Sequence, residues 1–171
     1  MPPISPCPYM LRLKRGPEEG PSARGVVQVG DPVPDLELET TAGKVRLSQL
    51  RGRKVVLYFF PKAFTTGCTR ELKRFTELYE EFRKAGAEVI GVSVDGLETQ
   101  RRFAEKHGAR FPLASDAKKE VSRAFGVLRA TGTAERVTFV IGPDGVVRQV
   151  IRGLKRAEEH ADRALEAVKS L

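Results

Sequence analysis

"KVVLYFFPKAFTTGCTRELKRFTELYEEF", Lys54 to Phe82, changes its periodicity in the middle. Lys54 to Phe60 is a continuous apolar run of β-branched and aromatic residues that Pro61 stops, the pattern of a central strand covered on both faces. Further on, Leu72, Phe75, Leu78, Tyr79 and Phe82 recur at spacings of three and four with charges between them. That spacing predicts one amphipathic helix, beginning at about Thr66 to Cys68 and closed by Gly86. A cysteine therefore sits where a buried strand hands over to a long helix.

Upstream, Leu36 and Leu38 alternate with acids, and Val45 and Leu47 alternate with polar residues beyond a turn at Ala42-Gly43, which reads as a hairpin. Downstream, Ala87 to Val94 is a second buried strand, followed by a helix from about Glu98 to His107 that Gly108 stops. Phe111 to Ala114 is a short strand, and Asp116 can cap a helix that ends at Gly126. Val137 to Ile141 and Val146 to Ile151 flank Gly142-Pro143-Asp144-Gly145, a turn signal between antiparallel strands. A last helix carries Ala157, Ala161, Ala164, Leu165 and Val168 on one stripe. Strand–helix units followed by a hairpin and a helix describe an α/β protein with a mixed central sheet and helices on both faces. That order resembles the thioredoxin-like fold.

The first thirty residues hold six of the eleven prolines and no sustained apolar periodicity. Residues 1–29 are therefore expected to form a proline-rich flexible extension, and residues 30–171 the folded domain. With 40% hydrophobic and 30% charged residues, 171 residues suffice for one such domain. No run approaches the roughly 18 apolar residues of a membrane helix, and no secretory h-region opens the chain, so a cytoplasmic protein away from membranes is expected. The net charge of +8 raises the question of nucleic acid, but +2 of it falls in residues 1–30. The remainder is interleaved with acids and lacks any zinc-finger or RNA-binding signature, so a solvated surface is expected rather than a nucleic-acid partner. Two cysteines 61 positions apart and two histidines, His107 and His160, give no metal-ligand spacing. The histidines fall at or near helix ends, where they need no functional account.

What remains is Cys68. A lone intracellular cysteine is commonly an inert core residue. At a helix start, however, unpaired N–H groups and the helix dipole favour a thiolate. A thiol of ordinary pKa, about 8.5, is only about 3% ionised at neutral pH, and making it mostly thiolate takes about 2.7 kcal/mol. A helix end supplies about 0.3 to 1 kcal/mol. A nearby cation is required, one that also polarises the electrophile, because a lower pKa blunts the sulfur.

Pro61, Thr65 and Cys68 fit the P-x-x-x-T-x-x-C motif of peroxiredoxins, and Thr69-Arg70-Glu71 resembles the bacterioferritin comigratory protein, or peroxiredoxin Q, group. "ERVTFVIGPDG", Glu135 to Gly145, is similar to that group's arginine-bearing strand and hairpin, with Arg136 at the arginine position. The resemblance spans about Val29 to Leu171. It implies a thioredoxin-like fold and a thiol-dependent peroxidase without cofactor, acting on hydrogen peroxide or an alkyl hydroperoxide. Cys68 would be the peroxidatic cysteine, oxidised to a sulfenic acid. Arg136 would supply the cation, Thr65 would orient the peroxide, and Pro61 would shield the pocket from water. Glu71 would support Arg136 through an ion pair. Each also has a plainer reading: Thr65 as a helix cap, Pro61 as a strand terminator, Arg136 as a surface charge.

The chain departs from the group where it often places a resolving cysteine, five residues past the peroxidatic one: Lys73 stands there. Residue 66 is Thr where proline is common, and residue 64 is Phe where an acid is common. A one-cysteine cycle is expected, reduced by an external thiol partner such as thioredoxin or glutaredoxin. Cys7 is the alternative resolving thiol, because an extension of that length spans roughly 25 to 30 Å. The family contains monomers and homodimers. Two other functions compete on the same fold. A thiol-disulfide oxidoreductase is disfavoured by Thr65 at the first position of a would-be C-x-x-C. A silent binding or holdase module is disfavoured by intact Thr65, Cys68 and Arg136.

Overall fold

The computed structural model of the chain describes residues 27–171. Seven strands form one mixed sheet: β1 (Glu37–Thr40), β2 (Gly43–Arg46), β3 (Lys54–Phe59), β4 (Ala87–Ser93), β5 (Leu113–Ser115), β6 (Val137–Ile141) and β7 (Val147–Ile151). Their spatial order is β2-β1-β5-β4-β3-β6-β7. The two βαβ units leave β3, β4 and β5 parallel, whereas β6 runs antiparallel to β3. The apolar run of β3 is therefore central, paired on both edges and covered on both faces.

Period-two alternation sorts that run onto two cores. Val55, Leu57 and Phe59 face a core that includes Phe125, Phe139 and Val27. Val56, Tyr58 and Phe60 face the other, shared with the helices α1 (Thr66–Glu77), α2 (Tyr79–Lys84), α3 (Leu97–His107) and α5 (Glu159–Lys169). The short α4 (Glu120–Ala124) packs on the first face. Helices thus cover both faces, unequally. Tyr58 stacks on Phe75 with ring centroids 4.3 Å apart, which seats α1 on the strand that precedes it. Gly91 of β4 makes room for that ring, since a Cβ there would lie 2.7 Å from Tyr58 Cζ.

The single helix expected through Phe82 is two. Leu78, at φ −92° and ψ 1°, leaves helical geometry for one residue between α1 and α2. The bend carries the chain over the sheet so that Phe75 and Phe82 stay in one core, their rings 5.7 Å apart. Asp116 serves α4 from a distance: its carboxylate accepts the N–H groups of Val121 and Ser122 at 3.0 and 2.7 Å. Residues 1–26, with most of the expected extension and Cys7, lie outside the described residues. Val27, within that expected extension, is buried, and its N–H donates to the Phe125 carbonyl at 3.1 Å. No helix of the described residues is long and apolar enough to cross a membrane.

Candidate active site

The loop from Pro61 to Thr65 joins the end of β3 to the first turn of α1, and the end of β4 ties it down. Asp95 accepts the Ala63 N–H at 2.8 Å and the Ser93 hydroxyl at 2.7 Å through the same oxygen. The loop passes through Phe64 at φ 67°, a left-handed conformation costly for an aromatic residue. Phe64 is half exposed and packs on Phe103 at 5.1 Å between centroids. Thr65 occupies the N-cap position of α1, but its hydroxyl donates to the Lys62 carbonyl at 2.8 Å instead of capping the helix. Its lone pairs stay available to accept.

Cys68, in the first turn of α1, is 1% exposed. Arg136 comes from the residue just before β6, brought there because β6 pairs with β3. One guanidinium nitrogen lies 3.5 Å from Cys68 Sγ. Another donates to Glu71 Oε1 at 2.6 Å. The two planar donors of one guanidinium thus bridge a sulfur and a carboxylate one helical turn apart on α1. The sequence placed Cys68, Arg136 and Glu71 together, and the structure has them in contact. Pro61 lies two residues past the end of β3, half-buried at the entry of the same loop.

Two residues to which the sequence assigns no role lie against these groups. Gly67 lets the guanidinium approach the helix start, since a Cβ there would lie 3.0 Å from Arg136 Nη2. His160 of α5 is 1% exposed and turns its Nδ1 toward the Thr138 hydroxyl at 2.8 Å and toward Glu71 Oε2 at 3.8 Å. Gly67 was legible as a small residue beside the cysteine; nothing in the sequence pairs His160 with Glu71.

Burial dominates the electrostatics behind the sulfur. Glu71 is fully buried, which pushes its carboxyl up to about 8 against the pull of Arg136. Burial, and then the positive charge of Arg136, press the His160 imidazole down to about 4, so it is neutral at physiological pH. Tyr58 is pushed well up by burial and by the neighbouring Glu71 and Cys68, and stays a neutral phenol.

A sulfur held at a helix start against a guanidinium on this sheet defines the class of thioredoxin-like thiol enzymes. Residues 29–150 match the AhpC/TSA family. Chloroplastic peroxiredoxin Q of Sedum lineare is 38% identical over 148 residues, which cover 85% of this chain and 80% of that protein. Peroxiredoxin Bcp of Xanthomonas campestris is 40% identical over 144 residues, covering 80% and 89%. Among solved structures, the peroxidoxin BcpB of Mycobacterium tuberculosis superposes with a TM-score of 0.80 at 39% identity, over 85% of this chain and 98% of that one. The bacterioferritin comigratory protein of Xanthomonas campestris gives 0.76 at 38% identity, over 85% and 98%. The chain belongs to the AhpC/TSA family, within its peroxiredoxin Q or bacterioferritin comigratory protein group, and is a thiol-dependent peroxidase.

Proposed function

We propose that Cys68 is the peroxidatic residue and that hydrogen peroxide and organic hydroperoxides are both substrates. The thiolate attacks one peroxide oxygen, an S–O bond forms as the O–O bond breaks, and the leaving oxygen takes a proton and departs as water or an alcohol. Cys68 is left as a sulfenic acid. Arg136 holds the thiolate and stabilises the charge that builds on the peroxide oxygens. Thr65 accepts a hydrogen bond from the peroxide through its free lone pairs, Pro61 keeps water from the entry, and Glu71 holds the guanidinium.

The observation that carries this reading is the 3.5 Å contact between Arg136 and the Cys68 sulfur. Organic hydroperoxides are included because the related Xanthomonas protein is described for its alkyl peroxide reduction activity. Cys68 is the one cysteine among the described residues, and Lys73 stands where a nearby resolving thiol would be. On this reading the sulfenic acid is reduced from outside: one thiol displaces water to give a mixed disulfide, and a second releases Cys68. Thioredoxin or glutaredoxin supplies both.

Purified protein with dithiothreitol should consume hydrogen peroxide, and Cys68→Ser should not. Wild-type consumption no faster than the variant's would sink the assignment. Running Cys7→Ser with thioredoxin, glutaredoxin and glutathione systems side by side tests the external reductant. Full turnover without Cys7 is the expected result, and a Cys7–Cys68 disulfide in peroxide-treated wild type is the contrary one.

A further inference from the structure

We infer that His160 is a positioning residue for the peroxidatic centre: its ring holds the Glu71 carboxyl so that Oε1 faces Arg136, and through Glu71 it sets the guanidinium on the Cys68 sulfur. Glu71 and His160 are both within 1% of full burial, and they approach across the packing of α1 against α5. Glu71 Oε1 is taken by Arg136, whereas Oε2 has no hydrogen-bond partner among the described residues. A side-chain donor facing it is His160 Nδ1, 3.8 Å away and one small shift from a hydrogen bond. A buried carboxyl oxygen without a donor is costly enough that this neighbour is expected to serve it.

The helix pair is fixed in register by a second contact. Arg74, further along α1, grips Asp162 of α5 at 2.8 and 3.0 Å. From β6, the Thr138 hydroxyl meets the same Nδ1 at 2.8 Å and fixes the ring plane. A hydroxyl both donates and accepts, so it serves either tautomer of the neutral ring. With the proton on Nδ1 the imidazole is a donor toward Glu71 Oε2 and favours the ionised carboxyl. Among the described residues, the charged and titratable groups that face the pair are Arg136 before β6 and Tyr58 of β3, with Cys68 of α1 on the other side of the guanidinium. His160 touches neither sulfur nor peroxide, and its influence runs through the carboxyl.

The inference rests on the peroxidase reading, and one assay separates the two. The rate constant for peroxide oxidation of Cys68 is measured from pH 5 to 10 by competition against a haem peroxidase, with Cys68→Ser as the control for the reading itself. His160→Leu fills the volume without a donor. It is expected to slow oxidation at least tenfold at pH 7 and to move upward the inflection that Glu71 is expected to give the profile near pH 8, because the ionised carboxyl has lost its donor. His160→Asn restores a donor near the Nδ1 position and is expected to stay within threefold of wild type with the inflection unmoved. Wild-type turnover with a His160→Leu rate within threefold overturns the role. So does equal slowing in both variants with the inflection in place, which is loss of packing alone. Should His160→Leu melt below assay temperature, Thr138→Val, which frees the ring, is expected to slow oxidation threefold or more with the same upward movement, and an unchanged rate overturns the inference.

Discussion

At the scale of single residues, the site depends on one guanidinium reaching two partners. Lysine carries the same charge as a point at the end of a flexible stem and cannot span a sulfur and a carboxylate at once. Arg136→Lys is therefore expected to keep the fold and lower the rate of Cys68 oxidation by about 100-fold or more, the scale seen when a preorganised donor is removed. Competition kinetics beside a circular-dichroism melt checks both halves. Gly67→Ala separates activity from stability more sharply. The added methyl meets the far end of the arginine side chain at 3.0 Å, with the Ala157 methyl at an ordinary contact distance of 3.9 Å. The guanidinium can swing aside at little cost to folding, and alanine is the better helix former by up to about 1 kcal/mol. Melting temperature should hold or rise while oxidation slows about tenfold. A slowed variant that is also destabilised would mean that the backbone of α1 moved instead.

At the scale of elements, the decisive piece is the loop between β3 and α1, and its support comes from β4. Asp95→Ala would strip the buried Ala63 N–H and the Ser93 hydroxyl of a shared acceptor. A loss of about 1–3 kcal/mol in urea unfolding is expected, with slower oxidation of Cys68 as the loop loosens. An unchanged midpoint would show water replacing the carboxylate. The elements themselves were legible where local chemistry determines them: the apolar run of β3, the Gly-Pro-Asp-Gly hairpin before β7, and Gly108 ending α3 in a left-handed turn at φ 65°. The bend at Leu78 was not legible, because neither glycine nor proline marks it and the apolar spacing runs through it unbroken. The sequence marks Asp116 as a cap for α4 but not its reach, to N–H groups five and six residues ahead. Such a contact depends on how the loop folds back, which periodicity does not encode.

At the scale of the whole molecule, the sheet order is what assembles the site. Cys68 and Arg136 are 68 positions apart, and the antiparallel pairing of β6 with β3 brings them together. Sequence located both through motif resemblance, whereas His160 waited for the docking of α5, a tertiary event that leaves no local mark. The same docking buries two titratable groups, and their effects on stability have opposite signs. Glu71 is raised: an unfolded chain releases its proton near 4.5, the folded protein near 8. The folded state holds the extra proton between those values, so this contribution is present below 4.5 and is lost as pH climbs through 8. One proton limits the slope to about 1.4 kcal/mol per pH unit. His160 is lowered, from 6.5 to about 4. There the unfolded state holds the extra proton, and stability is lost as pH falls from 6.5 toward 4. The two slopes oppose between 4.5 and 6.5 and nearly cancel, leaving Glu71 alone above 6.5. The joint contribution of this pair to stability in urea should therefore run nearly flat from pH 4.5 to 6.5 and fall from there to about 8. Glu71→Gln should lose that fall and should rise from pH 4.5 to 6.5, the direction that His160 and the likewise lowered His107 both give. A wild-type-minus-variant difference that stays constant from pH 6.5 to 8.5 would show Glu71 ionised throughout, held as a carboxylate by Arg136 in spite of its burial.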